Sequence, residues 1–142
     1  MSLSRLRTLA TCLHVLALLA VVEASIRWVP LPRLAAVLGV RLDLEPAGER
    51  ERSDQPSLSA HARRQLRTTW RLDALWPFRS GPCLRRSLVA ARLLRRSGAA
   101  VRIGFPRVPG ARIAHAWVEI DGCPIEDVSS YQAFERPATG AR

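Results

Sequence analysis

The stretch IAHAWVEIDG, residues 113–122, decides how the C-terminal part of the chain folds. Side chains alternate in character along Ile113–Ile120, which is the period of a β-strand with its two faces in different surroundings. Asp121-Gly122 predicts a tight turn into a further strand over residues 123–127, and residues 99–104 predict the strand before it. One face of the central strand carries His115, Trp117 and Glu119, and the other carries Ala116, Val118 and Ile120.

A helix is predicted immediately upstream, in the sequence GPCLRRSLVAARLLRRSG of residues 81–98. Apolar residues recur at helical spacing over Cys83–Ser97. Pro82 suits the first helical position, Ser80 is a candidate cap, and Gly98 ends the helix.

The N-terminal residues 1–42 are predicted to form a helical arm, in which Pro30 and Pro32 separate two helices. The apolar run over residues 9–22 is shorter than the roughly 20 residues that span a bilayer. A second apolar stretch, residues 26–40, continues the helical pattern beyond the point where a signal peptide would be cleaved. We therefore favour a buried or partner-facing helix over a signal peptide or a membrane anchor.

The composition changes to Glu, Asp, Arg, Ser and Pro over residues 43–59, which predicts a linker. A further helix is predicted over Ser59–Leu75, at the start of a core of residues 60–142. The length of 142 residues fits one arm and one such core, and two independent domains are not expected.

The net charge of +10 is concentrated in one region. Residues 61–112 hold 13 Arg against one acid, Asp73, and the chain has no Lys. These Arg residues are not interleaved with aromatic side chains that could stack on bases, so nucleic-acid binding is not favoured. The patch instead predicts attraction to an acidic peptide or protein, which high salt would weaken.

The cysteine count indicates which sites are absent. Cys12, Cys83 and Cys123 are an odd number without C-x-x-C spacing, so neither a disulfide framework nor a zinc site is expected. The count suits a reducing cytoplasm. No phosphate-binding glycine loop is present, and no cofactor is predicted.

Cys83 lies in the first turn of its predicted helix. Free N–H groups and the positive end of the helix dipole favour a thiolate there, and Arg85 and Arg86 would act in the same direction. His115 lies on a strand, and an acid lies on the strand that follows. A nucleophile, a base and a group that orients the base are the parts of a cysteine-dependent catalytic site.

The identity of the acid depends on the length of the turn. A two-residue turn puts Glu126 on the face of His115, whereas a three-residue turn puts Asp127 there. Pro124 cannot donate to the ladder and makes a local bulge reasonable, so both acids stay open. Asp121 is expected to be a turn residue.

These residues resemble the transglutaminase-like leader peptidases of lasso peptide biosynthesis. The resemblance lies in GPCLRRSL at residues 81–88, LLRRSG at residues 93–98 and, above all, AHAWVEIDG at residues 114–122. It covers roughly residues 60–134. It implies a transglutaminase-like or papain-like α+β core.

The resemblance also implies a cytoplasmic cysteine peptidase that removes the leader from a ribosomally made precursor. In that family pattern Cys83 attacks the carbonyl at the leader–core junction and His115 transfers the proton. Asp127 matches the family's acid position and would hold the imidazole. The implied partners are the precursor peptide, a small leader-recognition protein and an asparagine-synthetase-like cyclase.

Two other classes of function fit the same residues. A different transglutaminase-like amidase or acyl transferase could use Cys83 and His115 on another amide. A noncatalytic scaffold could recruit a peptide or partner through the Arg patch and the apolar N-terminal helices.

Overall fold

The computed structural model describes residues 3–44, 56–78, 81–108, 110 and 113–134. Within them the chain forms four α-helices and one mixed five-stranded sheet, which confirms the predicted α+β class. The helices are α1 (Leu3–Ile26), α2 (Leu31–Leu38), α3 (Ala60–Ala74) and α4 (Pro82–Leu93). The strands are β1 (Arg41–Leu42), β2 (Ala99–Pro106), β3 (His115–Ile120), β4 (Cys123–Pro124) and β5 (Tyr131–Ala133).

Helices α3 and α4 begin close to the positions that their capping residues and apolar spacing predict. The Ser59 hydroxyl accepts a hydrogen bond of 3.1 Å from the Ala62 N–H at the start of α3. α4 begins at Pro82, after Gly81 in the left-handed region at φ 60°. It is shorter than predicted, because a 3-10 turn over Arg95–Ser97 tightens its end before Gly98. The candidate cap Ser80 lies outside the described residues.

The N-terminal arm packs into the same core as the rest of the chain. Val15, Leu19 and Val22 of α1 are fully buried, and α2 contributes buried Leu34 and Leu38. β1 pairs in parallel with β2 of the predicted core. The predicted linker falls mostly on residues 45–55, which lie outside the described residues.

β2 lies in the interior of the sheet and pairs on both edges. β3 runs antiparallel along one edge, while β1 and β5 share the other. Ile120 pairs with Cys123 across a two-residue turn, in which Asp121 and Gly122 both have positive φ, 51° and 83°. The strand after the turn is shorter than predicted: β4 ends at Pro124, although the Ile125 N–H still donates to the Val118 carbonyl at 3.1 Å.

α4 lies between the sheet and the other long helices. It packs against β2 and β3 on one side and against α1 and α3 on the other. Four consecutive residues of α4, Leu88 to Ala91, have no exposed surface. The apolar face of β3 covers this helix with Ala116, Val118 and Ile120, as the alternation predicts.

Arg85 of α4 is the most deeply buried charged side chain among the described residues, at 1% exposure. Its Nη1 donates to Glu23 Oε2 of α1 at 2.6 Å, and its Nε donates to Asp73 Oδ1 of α3 at 2.8 Å. Nη1 also donates to the Phe78 carbonyl at 3.0 Å, in the segment that leads to α4. Its guanidinium lies 5.8 Å from the centre of the Trp76 ring. Arg85 therefore joins three helices and the approach to Cys83.

Glu23→Gln should destabilise the fold, because it leaves the buried Arg85 with one carboxylate instead of two. We expect the free energy of unfolding in denaturant to fall by about 3 kcal/mol. Arg27→Gln is the matched control, since Arg27 contacts the same Glu23 at 3.4 Å with a side chain 55% exposed. That control should cost less than about 1 kcal/mol. Equal losses in the two variants would contradict the role given to Arg85.

Candidate functional site

Cys83 is the second residue of α4 and is half-buried. The N–H groups of a helix's first turn have no acceptor within the helix, so they remain able to bind a developing negative charge. Ser87 lies one turn further along the same face, and its hydroxyl donates to the Ala116 carbonyl of β3 at 2.9 Å. This bond fixes the start of α4 against β3.

The topology brings Cys83 and His115 to one end of the sheet. A short 3-10 turn reverses the chain between α4 and β2, and β3 is antiparallel to β2. α4 and β3 therefore begin at the same end. His115 is the first residue of β3 and directly precedes Ala116, to which Ser87 is bonded.

The ring of His115 packs against two aromatic side chains. Tyr131 of β5 stacks on it with ring centres 4.5 Å apart and planes inclined by 26°. Trp117 lies on the same face of β3, 6.2 Å from His115 between ring centres. The side chain of His115 keeps 20% of its surface exposed, so the ring is packed and still accessible.

Gly104 makes this close packing possible. It pairs with His115 on one side and with Ala133 on the other. A Cβ atom at this position would lie 2.6 Å from Cη2 of Trp117 and would collide with the backbone carbonyl of Gln132. Only glycine leaves room for the Trp117 ring and for β5, which carries Tyr131.

A buried network fixes the orientation of Trp117. Its indole N–H donates to Glu119 Oε1 at 2.9 Å, and Glu119 Oε2 accepts from Arg102 Nε at 2.9 Å. Arg102 also pairs with Asp43 at 2.9 Å, just after β1. Because each partner is charged or polar and paired, the network is stable below the protein surface.

Glu126 is the carboxylate that approaches His115. Its Oε1 lies 3.9 Å from Nε2 of His115, which is within ion-pair range but too long for a hydrogen bond. Its Oε2 accepts from Arg86 Nη2 of α4 at 3.3 Å. The Arg86 guanidinium lies over the Trp70 ring at 5.4 Å, so α3 and α4 both help to place Glu126.

Asp127, the acid that the resemblance indicated, points elsewhere. Its carboxylate is exposed and accepts the backbone N–H of Ser129 at 3.0 Å. Hydrogen bonds from the backbone and side chain of Ser129 hold the pKa of Asp127 below its usual value. The physical reason is the two-residue turn, which puts Glu126 and not Asp127 on the face of His115.

The Arg patch is divided between interior and surface. Arg85 and Arg102 are buried and paired with carboxylates, so their charges are balanced inside the fold. Arg86 forms an ion pair with Glu126. The Arg side chains exposed on α3 are Arg63, Arg64, Arg67 and Arg71.

In the part of the chain that the structure describes, the other candidate metal ligands and thiols do not form a metal site or a disulfide. Among the described residues no group of three His, Cys, Asp or Glu side chains is close enough to hold a metal ion. Cys12 and Cys123 are half-buried and form no disulfide with each other or with Cys83. Sequence reasoning missed Tyr131, because a three-residue strand offers no periodicity to detect.

Comparison with protein families gives one match. The transglutaminase-like superfamily matches residues 25–139, which include α2 to β5 and all of the residues described above at the start of α4 and β3. Enzymes of this superfamily typically use a Cys, a His and an Asp. Neither curated proteins nor solved structures give a significant match. Since the matched region covers most of the chain, this protein belongs to the transglutaminase-like superfamily.

Proposed function

We propose that this protein is a cysteine peptidase that removes the leader from a lasso peptide precursor, so that the core can be cyclised. The observation that carries the proposal is that α4, with Cys83 in its first turn, and β3, with His115 at its start, begin at the same end of the sheet and are joined there by the Ser87–Ala116 hydrogen bond. The superfamily match supports thiol chemistry. The sequence resemblance at residues 81–98 and 114–122 supports the choice of substrate.

In the proposed reaction the Cys83 sulfur attacks the carbonyl carbon of the scissile peptide bond. His115 accepts the thiol proton and returns it to the leaving amine as the C–N bond breaks. Water then attacks the thioester, which releases the leader as a carboxylate and restores the thiol. The core peptide leaves with a free amine, which an asparagine-synthetase-like cyclase could join to a carboxylate.

The start of α4 supplies the electrostatic part of this mechanism. The Cys83 N–H lies in the first helical turn and is a candidate donor to the oxyanion that forms during attack. The positive end of the helix dipole favours the negative charge of that oxyanion.

We assign the orienting role to Glu126. Its contact is with Nε2 of His115, which leaves Nδ1 to exchange the proton with the thiol. The separation of 3.9 Å would shorten when the imidazole becomes charged, because the ion pair then strengthens. Arg86 holds Glu126 in place through its ion pair of 3.3 Å with Oε2.

The exposed Arg side chains of α3 are the proposed contact for an acidic segment of the precursor or of a leader-recognition protein. α3 packs directly against α4. A peptide bound along α3 would therefore lie close to the helix that carries Cys83.

Cys83→Ala should abolish cleavage while the protein stays folded, because the thioester can no longer form. The measurement is mass spectrometry of the precursor encoded beside this protein, incubated with its leader-recognition protein. The leader fragment should appear with the natural chain and not with the variant. Cys123→Ala is the matched control and should retain cleavage. A leader joined to an added amine, without hydrolysis, would indicate an acyl transferase instead.

Glu126→Gln should lower kcat by about 100-fold, because an amide cannot stabilise the imidazolium. Asp127→Asn, the neighbouring change of equal size, should leave kcat within about twofold, since Asp127 contacts only its own turn. Both rates are read from the leader fragment over time. Loss of activity in Asp127→Asn with retention in Glu126→Gln would return the role to Asp127.

Tyr131→Leu should lower kcat by about three- to tenfold with little change in KM, because the imidazole loses the ring that fixes its plane. Tyr131→Phe keeps the ring and should retain activity. Equal loss in both variants would show that the phenol oxygen, and not the stacking, is what matters.

A further inference from the structure

α1 has one face in the protein core and another that no described residue covers. The segment Arg5–Ile26 is long and apolar enough to cross a membrane by length and composition. Val15, Leu19 and Val22 line its buried face. The opposite face exposes large apolar side chains, with 38–58% of their surface accessible, at Leu6, Leu9, Leu13, Leu16 and Val21.

The uncovered face is broad and largely apolar, with the exposed His14 at one edge. At 100° per residue, the exposed positions from residue 9 to residue 24 occupy an arc of about 160°, and Leu6 lies within it. No Arg, Lys, Asp or Glu occurs from Thr8 to Val22, a length of about 22 Å. Arg5 and Arg7 are exposed and lie on the two sides of this arc.

The arc fits a lipid surface better than a partner helix. A coiled-coil seam is a narrow apolar stripe, whereas this arc is wide. Beyond the helix, Trp28 is 86% exposed and Arg33 is exposed on α2. Arg and Trp at the borders of an apolar helix face are typical of helices that lie in a membrane interface.

The core contacts exclude a membrane-spanning position for α1 in this fold. Glu23 would have to leave Arg85, and the three buried apolar residues would have to leave α3 and α4. An orientation parallel to the membrane plane keeps all of these contacts and buries only the free arc.

We propose that α1 binds an anionic membrane surface, lying in its plane with the arc of Leu6, Leu9, Leu13, Leu16 and Val21 among the acyl chains. Arg5 and Arg7 contact acidic lipid headgroups. The buried face of α1 meanwhile keeps the catalytic domain attached.

The test is co-sedimentation of the full chain with vesicles of phosphatidylglycerol and phosphatidylcholine in equal parts. Leu9→Glu/Leu13→Glu should lower the vesicle-bound fraction by at least about tenfold, since two charges enter the apolar interface. Leu75→Glu/Val108→Glu is the matched control, because these residues are 81% and 66% exposed elsewhere in the fold. Arg5→Gln/Arg7→Gln should weaken binding by about tenfold.

Circular dichroism and thiol labelling of Cys83 establish that each variant is folded. The proposal is overturned if the natural chain stays in the supernatant or if both pairs of glutamate variants bind equally well. It is also overturned if the chain ignores vesicles and forms a dimer that Leu9→Glu/Leu13→Glu dissociates, since a second copy would then cover the arc.

Discussion

The ion pairs of Arg85 with Glu23 and Asp73 are the interaction on which the rest of the structure depends. A buried guanidinium without partners would cost several kcal/mol, so the fold is possible only when α1 and α3 bring their carboxylates to α4. The same guanidinium binds the Phe78 carbonyl, in the segment that leads to Cys83. The position of Cys83 is thus set by helices from two distant parts of the sequence.

A second buried Arg performs a similar task in the sheet. Arg102 pairs with Asp43 and Glu119, and Glu119 in turn holds the indole of Trp117 beside His115. The two networks lie on opposite sides of the α4–sheet contact and orient the two halves of the candidate site. Part of the positive charge therefore forms buried ion pairs within the fold. The four exposed Arg side chains of α3 are available to a partner.

Local patterns predicted the elements of the fold and most of the candidate site. Alternation along residues 113–120 gave β3 and its two faces, and Pro82 and Gly98 marked the helix that carries Cys83. The two candidates for the acid beside His115, Glu126 and Asp127, required turns of different length. The positive φ angles of Asp121 and Gly122 select the shorter turn, which puts Glu126 on the face of His115.

What the sequence did not reveal depends on contacts between distant residues. Arg85 lies among several Arg residues on a helix, and only the packing of α1 and α3 distinguishes a buried guanidinium from a solvated one. β1 and β5 are two and three residues long, too short for any period to appear. Tyr131 reaches His115 only because Gly104 lets β5 approach.

The contact between Glu23 and Arg85 also has a consequence for synthesis of the chain. The two residues are 62 positions apart, and translation at about 5–20 residues per second takes about 3–12 seconds to cover that distance. During this interval α1 has emerged with both of its apolar faces uncovered and Glu23 without its partner. A chaperone or another apolar surface that shields α1 until α4 is made is therefore expected to raise the yield of folded chain in a cell.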